Sequence, residues 1–362
     1  MKKIKVAVAM SGGIDSSITA LLLQEQGYDL VGITLRVWDY VSEGCEEKET
    51  GCCSIEAIFE AQAFAKKIGI PHHIVDVRNS FKDIVVTDFI NEYIAGRTPN
   101  PCVVCNPAIK WGEVVKKAEE LGCDFIATGH YSQIAQLNGR YYFTKAADTS
   151  KDQSYVLWKL PQEFIKKTLL PLGKYKKSEI KQLALERGFE KLAKKRESQE
   201  ICFIPDDDYR NFLKKRVPHL ESSVNGGEFI STTGKHLGTH KGYPFYTIGQ
   251  RKGLNIALGK PTYVVAIKKD TNQIILGDKD DLLQEKMIVS HINFLKYSQF
   301  DENSLYSVKI RYNSTPNICK IRTKDIDTIE VEFVNSVGGI TPGQSAVFYE
   351  GDDVVAGGII QY

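Results

Sequence analysis

Ala9-Met10-Ser11-Gly12-Gly13-Ile14-Asp15-Ser16-Ser17 joins an apolar, β-branched run at residues 3–9 to a segment of helical spacing at 16–26. Adjacent glycines between a strand and a helix let the backbone approach a ligand closely and adopt φ > 0. Ser11, Ser16 and Ser17 supply hydroxyl donors, and the N–H groups and dipole of the helix that follows attract phosphate. Asp15 is out of place in an anion site unless a cation such as Mg²⁺ lies between it and the phosphates. The loop lacks the Lys-Ser/Thr of a Walker A motif and the spaced glycines of a dinucleotide fingerprint. A tight turn capped by Ser and Asp is the structural alternative. The order Ser-Gly-Gly-x-Asp-Ser-Ser directly after a first strand favours phosphate.

Working outward, strand-like and helix-like stretches alternate. Residues 30–37, 73–77 and 124–128 read as buried strands, and 54–68, 81–94 and 108–121 as helices, the first of these capped by Ser54. This rhythm predicts a parallel sheet with helices on both faces, whose ligands bind at the carboxyl ends of the strands. Residues 132–145 read as a hairpin turning at Asn138-Gly139. Helical patterns run to about Lys195. After Pro205, glycines punctuate short segments, and from Met287 to Tyr362 regularly spaced strands predict a small barrel or sandwich. No internal repeat and no low-complexity tract is present.

The chain has 362 residues, which suggests two or three domains at ~150 residues each. With 42% hydrophobic and 25% charged residues it is neither disordered nor fibrous. Lys and Arg number 47 against 45 Asp and Glu, so composition alone marks no nucleic-acid binder. The exception is 161–220, with fifteen Lys/Arg against nine Asp/Glu, a segment able to follow a phosphate backbone or to form a solvated helical face. No apolar run reaches ~18 residues, and the N-terminus reads as a strand rather than a signal peptide. A cytoplasmic location without membrane attachment is expected. The cysteines are 45, 52, 53, 102, 105, 123, 202 and 319. In a reducing compartment such clustering points to metal binding or thiol chemistry rather than to staples.

Ser11–Ser17 resembles the pyrophosphatase loop (PP-loop) of the ATP-pyrophosphatase superfamily, whose members adenylate a carbonyl oxygen and then replace it with a nucleophile. Further stretches narrow the resemblance. Gly96-Arg97-Thr98-Pro99-Asn100-Pro101-Cys102-Val103-Val104-Cys105-Asn106, Ala127-Thr128-Gly129-His130-Tyr131, Lys151-Asp152-Gln153-Ser154-Tyr155 and Ser198-Gln199-Glu200-Ile201-Cys202-Phe203-Ile204 are similar to the bacterial tRNA-specific 2-thiouridylase family. The similarity continues through Thr247-Ile248-Gly249-Gln250-Arg251-Lys252-Gly253-Leu254, Arg311-Tyr312 and Thr341-Pro342-Gly343-Gln344, so it covers essentially the whole chain in order.

The resemblance implies an α/β fold: a parallel-sheet PP-loop (HUP-like) N-terminal domain at 1–208, a small central domain at 209–280 and a C-terminal all-β barrel at 281–362. It implies ATP with Mg²⁺ as co-substrate, held by Ala9, Met10, Ser11, Gly12, Gly13, Ile14, Asp15 and Ser16, with Leu35 touching adenine through its backbone and Gly129 nearby. It sets Asn100, Pro101 and Cys102 against the target base, and His130, Lys151, Asp152, Gln153, Arg311, Tyr312 and Gln344 against the tRNA. Lys and Arg suit phosphates, Tyr and His stacking, Gln base edges. It makes Cys202 the persulfide carrier and Cys105 the nucleophile or resolving thiol, supplied by a cysteine desulfurase or sulfur-relay protein. A monomer is expected.

The chemistry agrees. A carbonyl oxygen leaves only once adenylated, and sulfur delivered without free sulfide needs a cysteine persulfide and a second thiol to release it. That demands two cysteines distant in sequence and close in space, as Cys105 and Cys202 would be. From the residues alone other readings stand. Cys202 is also compatible with a core thiol. Cys102 and Cys105 form a C-x-x-C that suits half a zinc site, with Cys45, Cys52 and Cys53 as further candidates, or a redox pair. An iron–sulfur cluster on Cys102, Cys105 and Cys202 is a third reading, whereas no bound metal is the expected state. Cys123 and Cys319 read as packing residues. Two departures stand out: some family members carry an acid at Cys102, and Leu35 replaces a frequent Met. An ammonia-using synthetase and a non-catalytic tRNA-binding or metal-sensing protein are the rival functions. The acidic, cysteine-bearing stretch 39–53 has no functional account.

Overall fold

The computed structural model describes residues 3–38, 55–195, 201–204 and 207–362. The Ser54 cap, the stretch 39–53 and residues 198–200 lie outside them. Contacts divide the chain into two compact units. One is drawn from 1–86, 101–207 and 352–355, the other from 87–100, 208–351 and 356–362.

The first unit contains β1 (Lys5–Ala9), β2 (Asp29–Arg36), β3 (His72–Asp76), β4 (Phe125–Ala127), β5 (Gln133–Leu137), β6 (Arg140–Thr144) and β7 (Thr168–Leu169). Five of these form a parallel sheet in the order β3-β2-β1-β4-β7. β1 is central, and Val6, Ala7 and Val8 are fully buried, as expected of a strand covered on both faces. The helix Ile14–Glu25 lays Ile14, Ile18, Leu21 and Leu22 into the same core. It begins two residues earlier than the periodicity suggests, because Gly13 is already its extended N-cap. The chain leaves β1 towards β2 on one side and returns to β4 on the other. The segments following β1 and β4 therefore flank the crevice at the switch in strand order.

Two predicted helices are interrupted. The segment expected at 81–94 is an α-turn at Arg78–Phe81, a π-helix at Lys82–Val86 and an α-helix at Thr87–Ile94. The segment expected at 108–121 begins at Pro101, runs as α-helix to Cys105, turns to π-helix at Asn106–Trp111 and continues as Gly112–Glu120. A π-turn inserts a residue into the helical repeat, so a 3.6-residue pattern detects only part of such a helix. The hairpin β5–β6 turns at Asn138 and Gly139, with φ of +49° and +80°, the positive values that a tight two-residue turn needs.

The second unit packs Phe89 against Phe212 (6.0 Å) and stacks Tyr93 on Tyr209 (4.5 Å). Its strands β8 (Gly227–Ser231), β9 (His236–His240), β10 (Tyr263–Lys268) and β11 (Gln273–Gly277) form a sheet ordered β10-β11-β8-β9. β12 (Leu283–Phe294), β13 (Tyr306–Lys309), β14 (Asn317–Thr323), β15 (Thr328–Gly338), β16 (Ser345–Glu350) and β17 (Asp353–Ile360) make an antiparallel barrel. β12 pairs with β15 along one edge and, on both sides of an irregularity between Ser290 and Asn293, with the end of β17, closing the barrel without a free edge. The fold is the α/β parallel-sheet domain, central module and all-β barrel that the sequence implied.

Gly173 shows how closely the segments around the crevice approach. A Cβ there would lie 2.0 Å from the carbonyl oxygen of Ser132, the residue after Tyr131. Gly173→Ala is expected to destabilise the protein by about 1–3 kcal/mol through overpacking. A lower urea midpoint at unchanged m value would register it.

Candidate active site

The Ser11–Ser17 loop is fixed at several points. Met10 N–H donates to the Ile33 carbonyl (2.8 Å), and the Met10 carbonyl accepts from Thr34 Oγ1 (2.8 Å). Thr34 in turn shares a 2.8 Å hydrogen bond with His72 Nε2. Ser11 N–H donates to Ser16 Oγ (3.1 Å), which donates to the Gly13 carbonyl (3.2 Å). Gly12 has φ +68°, and a Cβ on it would sit 2.3 Å from the Ala57 carbonyl oxygen, so only glycine fits. Gly13 caps the helix without a side-chain bond, which leaves first-turn N–H groups without a side-chain acceptor. Ser17 Oγ is buried with no hydrogen-bond partner among the described residues. Ala9 and Leu35 stand at the carboxyl ends of β1 and β2, Leu35 opposite Val75.

The segment after β4 forms the facing wall. A Cβ on Gly129 would lie 2.8 Å from the Asp15 carbonyl carbon and 2.9 Å from Ser16 N, so its bare backbone is what lets the two segments meet. Tyr131 OH donates to Asp15 Oδ1 (2.8 Å). Lys177 Nζ donates to both Asp15 oxygens, at 2.7 and 2.8 Å, and its side chain is only 8% exposed. The cation beside Asp15 is thus an ammonium supplied by the chain itself. Lys195 Nζ donates to the Gly12 carbonyl (3.1 Å) and pairs with Glu60. Tyr131 enters the sequence reading only as the last residue of the Ala127–Tyr131 stretch, and Lys177 and Lys195 were not singled out. One signal existed for Lys177. It opens the helix Lys177–Glu186, where the dipole disfavours a cation, and a broken local rule often marks a functional position.

The residues that the resemblance sets against RNA divide in two. Some are engaged within the protein. Asp152 Oδ1 accepts from Ala146 N–H (3.0 Å) and Ser154 N–H (3.3 Å), and its Oδ2 accepts from Ser154 Oγ (2.8 Å). Gln153 exchanges bonds with Tyr131, accepting from its N–H at 2.9 Å and donating to its carbonyl at 2.8 Å. Gln344 Nε2 donates to the carbonyls of Thr98 and Pro99 (2.9 and 3.0 Å), bracing the chain just before Asn100. Arg311 donates to the carbonyls of Ile248 and Gly339 and to Thr341 Oγ1. The rest are Lys151, Tyr312 and His130. Lys151 and Tyr312 are partly exposed, with Lys309 Nζ over the Tyr312 ring. His130 shares a 2.8 Å bond with Thr128 Oγ1 and lies 5.2 Å from the Trp111 ring. Burial and the Lys110 charge hold its imidazole far below the usual histidine range, so it offers a neutral ring. Asn100 closes one segment of the second unit, and Pro101 opens one of the first.

The thiols differ in setting. Pro101 starts the short helix that carries Cys102, exposed, and Cys105, 7% exposed. The C-x-x-C is therefore helical rather than part of a loop. Asn106, directly after, donates through Nδ2 to the Val156 carbonyl (2.8 Å) and opens the π-helix. Cys202 lies in a turn and is partly exposed, whereas its neighbour Phe203 is buried against Trp38 and Phe81, at 6.0 and 5.6 Å. It is the phenylalanine that fills the core, not the thiol. Burial raises the Cys123 thiol above its ordinary range and pushes Cys319 up to about 12, which keeps both protonated and unreactive. None of the five described cysteines is in a disulfide. Among the described residues no three His, Cys, Asp or Glu are grouped to hold a metal ion, Cys102, Cys105 and Cys202 included. Cys45, Cys52 and Cys53 lie outside those residues. No described helix is long and apolar enough to cross a membrane.

A glycine-rich loop at the switch point of a parallel sheet defines the first unit as a HUP-type domain. Residues 4–206 match the family described as tRNA methyl transferase HUP domain, 210–278 the tRNA methyl transferase PRC-barrel domain, and 284–360 the aminomethyltransferase beta-barrel domain. The chain is 54% identical to the tRNA-specific 2-thiouridylase MnmA of Amoebophilus asiaticus over 100% of its own length and 96% of that protein's. It is 49% identical to the tRNA-specific 2-thiouridylase MnmA of Cytophaga hutchinsonii (99% and 98% covered) and 48% to that of Salinibacter ruber (99% and 94%). The chain belongs to the tRNA-specific 2-thiouridylase family, a family of tRNA sulfurtransferases.

Removing Lys177 leaves the Asp15 carboxylate short of its cation in a partly buried setting. Lys177→Met should destabilise the protein measurably, and Asp15→Asn in the same chain should recover part of the loss. A double-mutant cycle by urea unfolding is expected to give a coupling of about 1–2 kcal/mol, moderated by the partial exposure of Asp15.

Proposed function

We propose that this protein replaces the C2 oxygen of the wobble uridine, position 34, of tRNA with sulfur at the expense of ATP. The observation that carries the reading is that one compact unit holds both the Ser-Gly-Gly-Ile-Asp-Ser-Ser loop and two cysteines, 105 and 202, in a chain aligned end to end with relatives named for this reaction. The uridine must be turned out of its loop to reach the site. Its C2 oxygen then attacks the α-phosphate of ATP, and pyrophosphate leaves. A persulfide on Cys202 gives up its outer sulfur to C2, and AMP departs with the former oxygen. Cys105 attacks the inner sulfur and breaks the persulfide S–S bond, so the two electrons taken up by the transferred sulfur come from the Cys105 and Cys202 thiols, which are oxidised to a disulfide. A cellular thiol reductant then resets the pair, and a cysteine desulfurase or sulfur-relay protein reloads Cys202. Partial exposure of Cys202 is in keeping with access by such a donor.

The residues fit a nucleotide. First-turn N–H groups without a side-chain cap, a buried Ser17 hydroxyl without a partner and a loop that only Gly12 can make form a cradle for phosphate oxygens. Ala9–Ser16, Leu35 and Gly129 are assigned to ATP. Asp15 is already met by Lys177 and Tyr131, so Mg²⁺ is assigned to the phosphates of the nucleotide rather than to that carboxylate. Asn100, Pro101 and Cys102 are assigned to the base. His130, Lys151 and Tyr312 are assigned to tRNA contact, with Asp152, Gln153, Arg311 and Gln344 shaping that surface. We keep the division at 1–208, 209–280 and 281–362, and take the enzyme as a cytoplasmic monomer.

Nucleoside mass spectrometry of tRNA incubated with the protein, Mg-ATP and a persulfide donor tests the reading. 2-Thiouridine, AMP and pyrophosphate are expected. A methylated nucleoside, ADP with orthophosphate, or incorporated nitrogen would overturn it. Cys202→Ser should abolish persulfide loading and reduce thiolation to background, while ATP binding persists. Cys105→Ser should still load Cys202 yet transfer nothing. A single turnover without reductant should leave a Cys105–Cys202 disulfide, visible by peptide mapping. Cys102→Ser should be nearly silent. If it is as damaging as Cys105→Ser, and stoichiometric iron or zinc copurifies, a metal site replaces the relay.

A further inference from the structure

Thr247-Ile248-Gly249-Gln250-Arg251-Lys252-Gly253-Leu254 has no part in the chemistry above. It forms a turn in the second unit, with Gly249 and Gly253 at φ of +85° and +73°. Gln250 closes the turn. Its N–H donates to the Thr247 carbonyl (3.0 Å), its Oε1 accepts from Thr247 N–H (3.2 Å), and its Nε2 donates to the Lys252 carbonyl (3.0 Å). Gly249 N–H donates to the Val264 carbonyl (2.8 Å) and Val264 N–H to the Gln250 carbonyl (3.0 Å), which docks the turn on β10. The backbone is thereby fixed, and the side chains of Arg251 and Lys252 take no part in fixing it. Both are exposed, and neither forms an ion pair with any described residue.

These two cations stand over a cavity of about 560 Å³ lined also by Tyr209, Arg210, Tyr263 and Arg311. A second cavity of about 420 Å³ shares Arg251 and adds Lys260, itself paired with Asp278. Among the described residues no carboxylate lines either cavity. The Arg210 guanidinium lies over the Tyr209 ring and donates to the Phe245 carbonyl (2.8 Å), and Arg311 donates to carbonyls and a hydroxyl. The Phe245 carbonyl orients the Arg210 charge without cancelling it. Clustered, oriented cations in a concave surface raise the local potential and call for an anion. An open double cavity of this length, with tyrosines set among the charges, suits a run of phosphodiesters rather than one enclosed phosphate.

We propose that the Arg251–Lys252 turn and its two cavities form a site for the sugar–phosphate backbone of RNA. In naming tRNA as that RNA, the inference rests on the function proposed above. The test measures tRNA affinity of the full chain at several salt concentrations, for the parent and for the double variant Arg251→Ala/Lys252→Ala. Both side chains are exposed and outside the bonds of the turn, so the variant is expected to melt like the parent. Affinity should fall tenfold or more near 0.1 M salt, and the dependence of log K on log salt should flatten by about two. Arg251→Lys/Lys252→Arg should restore most of both, and ATP binding without RNA should be unchanged. Parental affinity and slope in the double variant would overturn the proposal. So would loss of pyrophosphate binding, which would make this a site for free phosphates, or lost binding of poly-L-glutamate with tRNA affinity intact, which would make it a site for an acidic protein. If the parent makes no 2-thiouridine but the double variant still loses tRNA affinity, the site stands and the proposed reaction fails. If the parent thiolates tRNA and the double variant binds it equally well, this inference alone fails.

Discussion

The bond between the Lys177 ammonium and the Asp15 carboxylate is the contact on which the loop region of the first unit depends. Each partner is awkward without the other. A carboxylate beside a phosphate cradle repels what the cradle attracts, and a lysine opening a helix opposes that helix's dipole. Together they cancel, with Tyr131 adding a third hydrogen bond, and the helix N-terminus keeps its attraction for anions. The pair also ties residue 15 to a helix that begins 162 residues further on, so the cradle's shape is set by tertiary structure as much as by the loop itself.

Around that contact, backbone segments meet at distances that no side chain allows. Gly12 against Ala57, Gly129 against Asp15 and Gly173 against Ser132 are three such approaches. Only Gly12 needs glycine for its dihedral as well as for space. The parallel order β3-β2-β1-β4-β7 brings the segments following β1 and β4 to opposite sides of one crevice, and the glycines let that crevice close to bonding distance.

Much of this was legible in the residues. The alternation of buried strands and amphipathic helices gave the parallel sheet, Asn138-Gly139 gave the hairpin, and the evenly spaced strands after Met287 gave the barrel. The helices around 82–86 and 106–111 were read short because a π-turn shifts the hydrophobic phase, and propensity carries no signal for it. Asp15 pointed to a cation such as Mg²⁺ between it and the phosphates, whereas the structure sets the Lys177 ammonium on it, and pairing across 162 residues leaves no local trace. The family resemblance set Asp152 and Gln153 against the tRNA. That their hydrogen bonds turn inward, to Ser154, Ala146 and Tyr131, follows from packing alone.

If Cys202 carries sulfur as proposed above, its turn has a kinetic meaning. Phe203 is clamped between Trp38 and Phe81, so the sulfur next to it hangs from a fixed point. A sulfur atom carried there samples a volume set by one side chain rather than by a swinging arm. Within that volume its effective concentration towards a fixed acceptor is far above that of any thiol in solution. In the relay proposed above, water and stray thiols, which would meet that sulfur only by diffusion, would compete poorly, and geometry rather than chemical inertness would keep a labile S–S bond for its recipient.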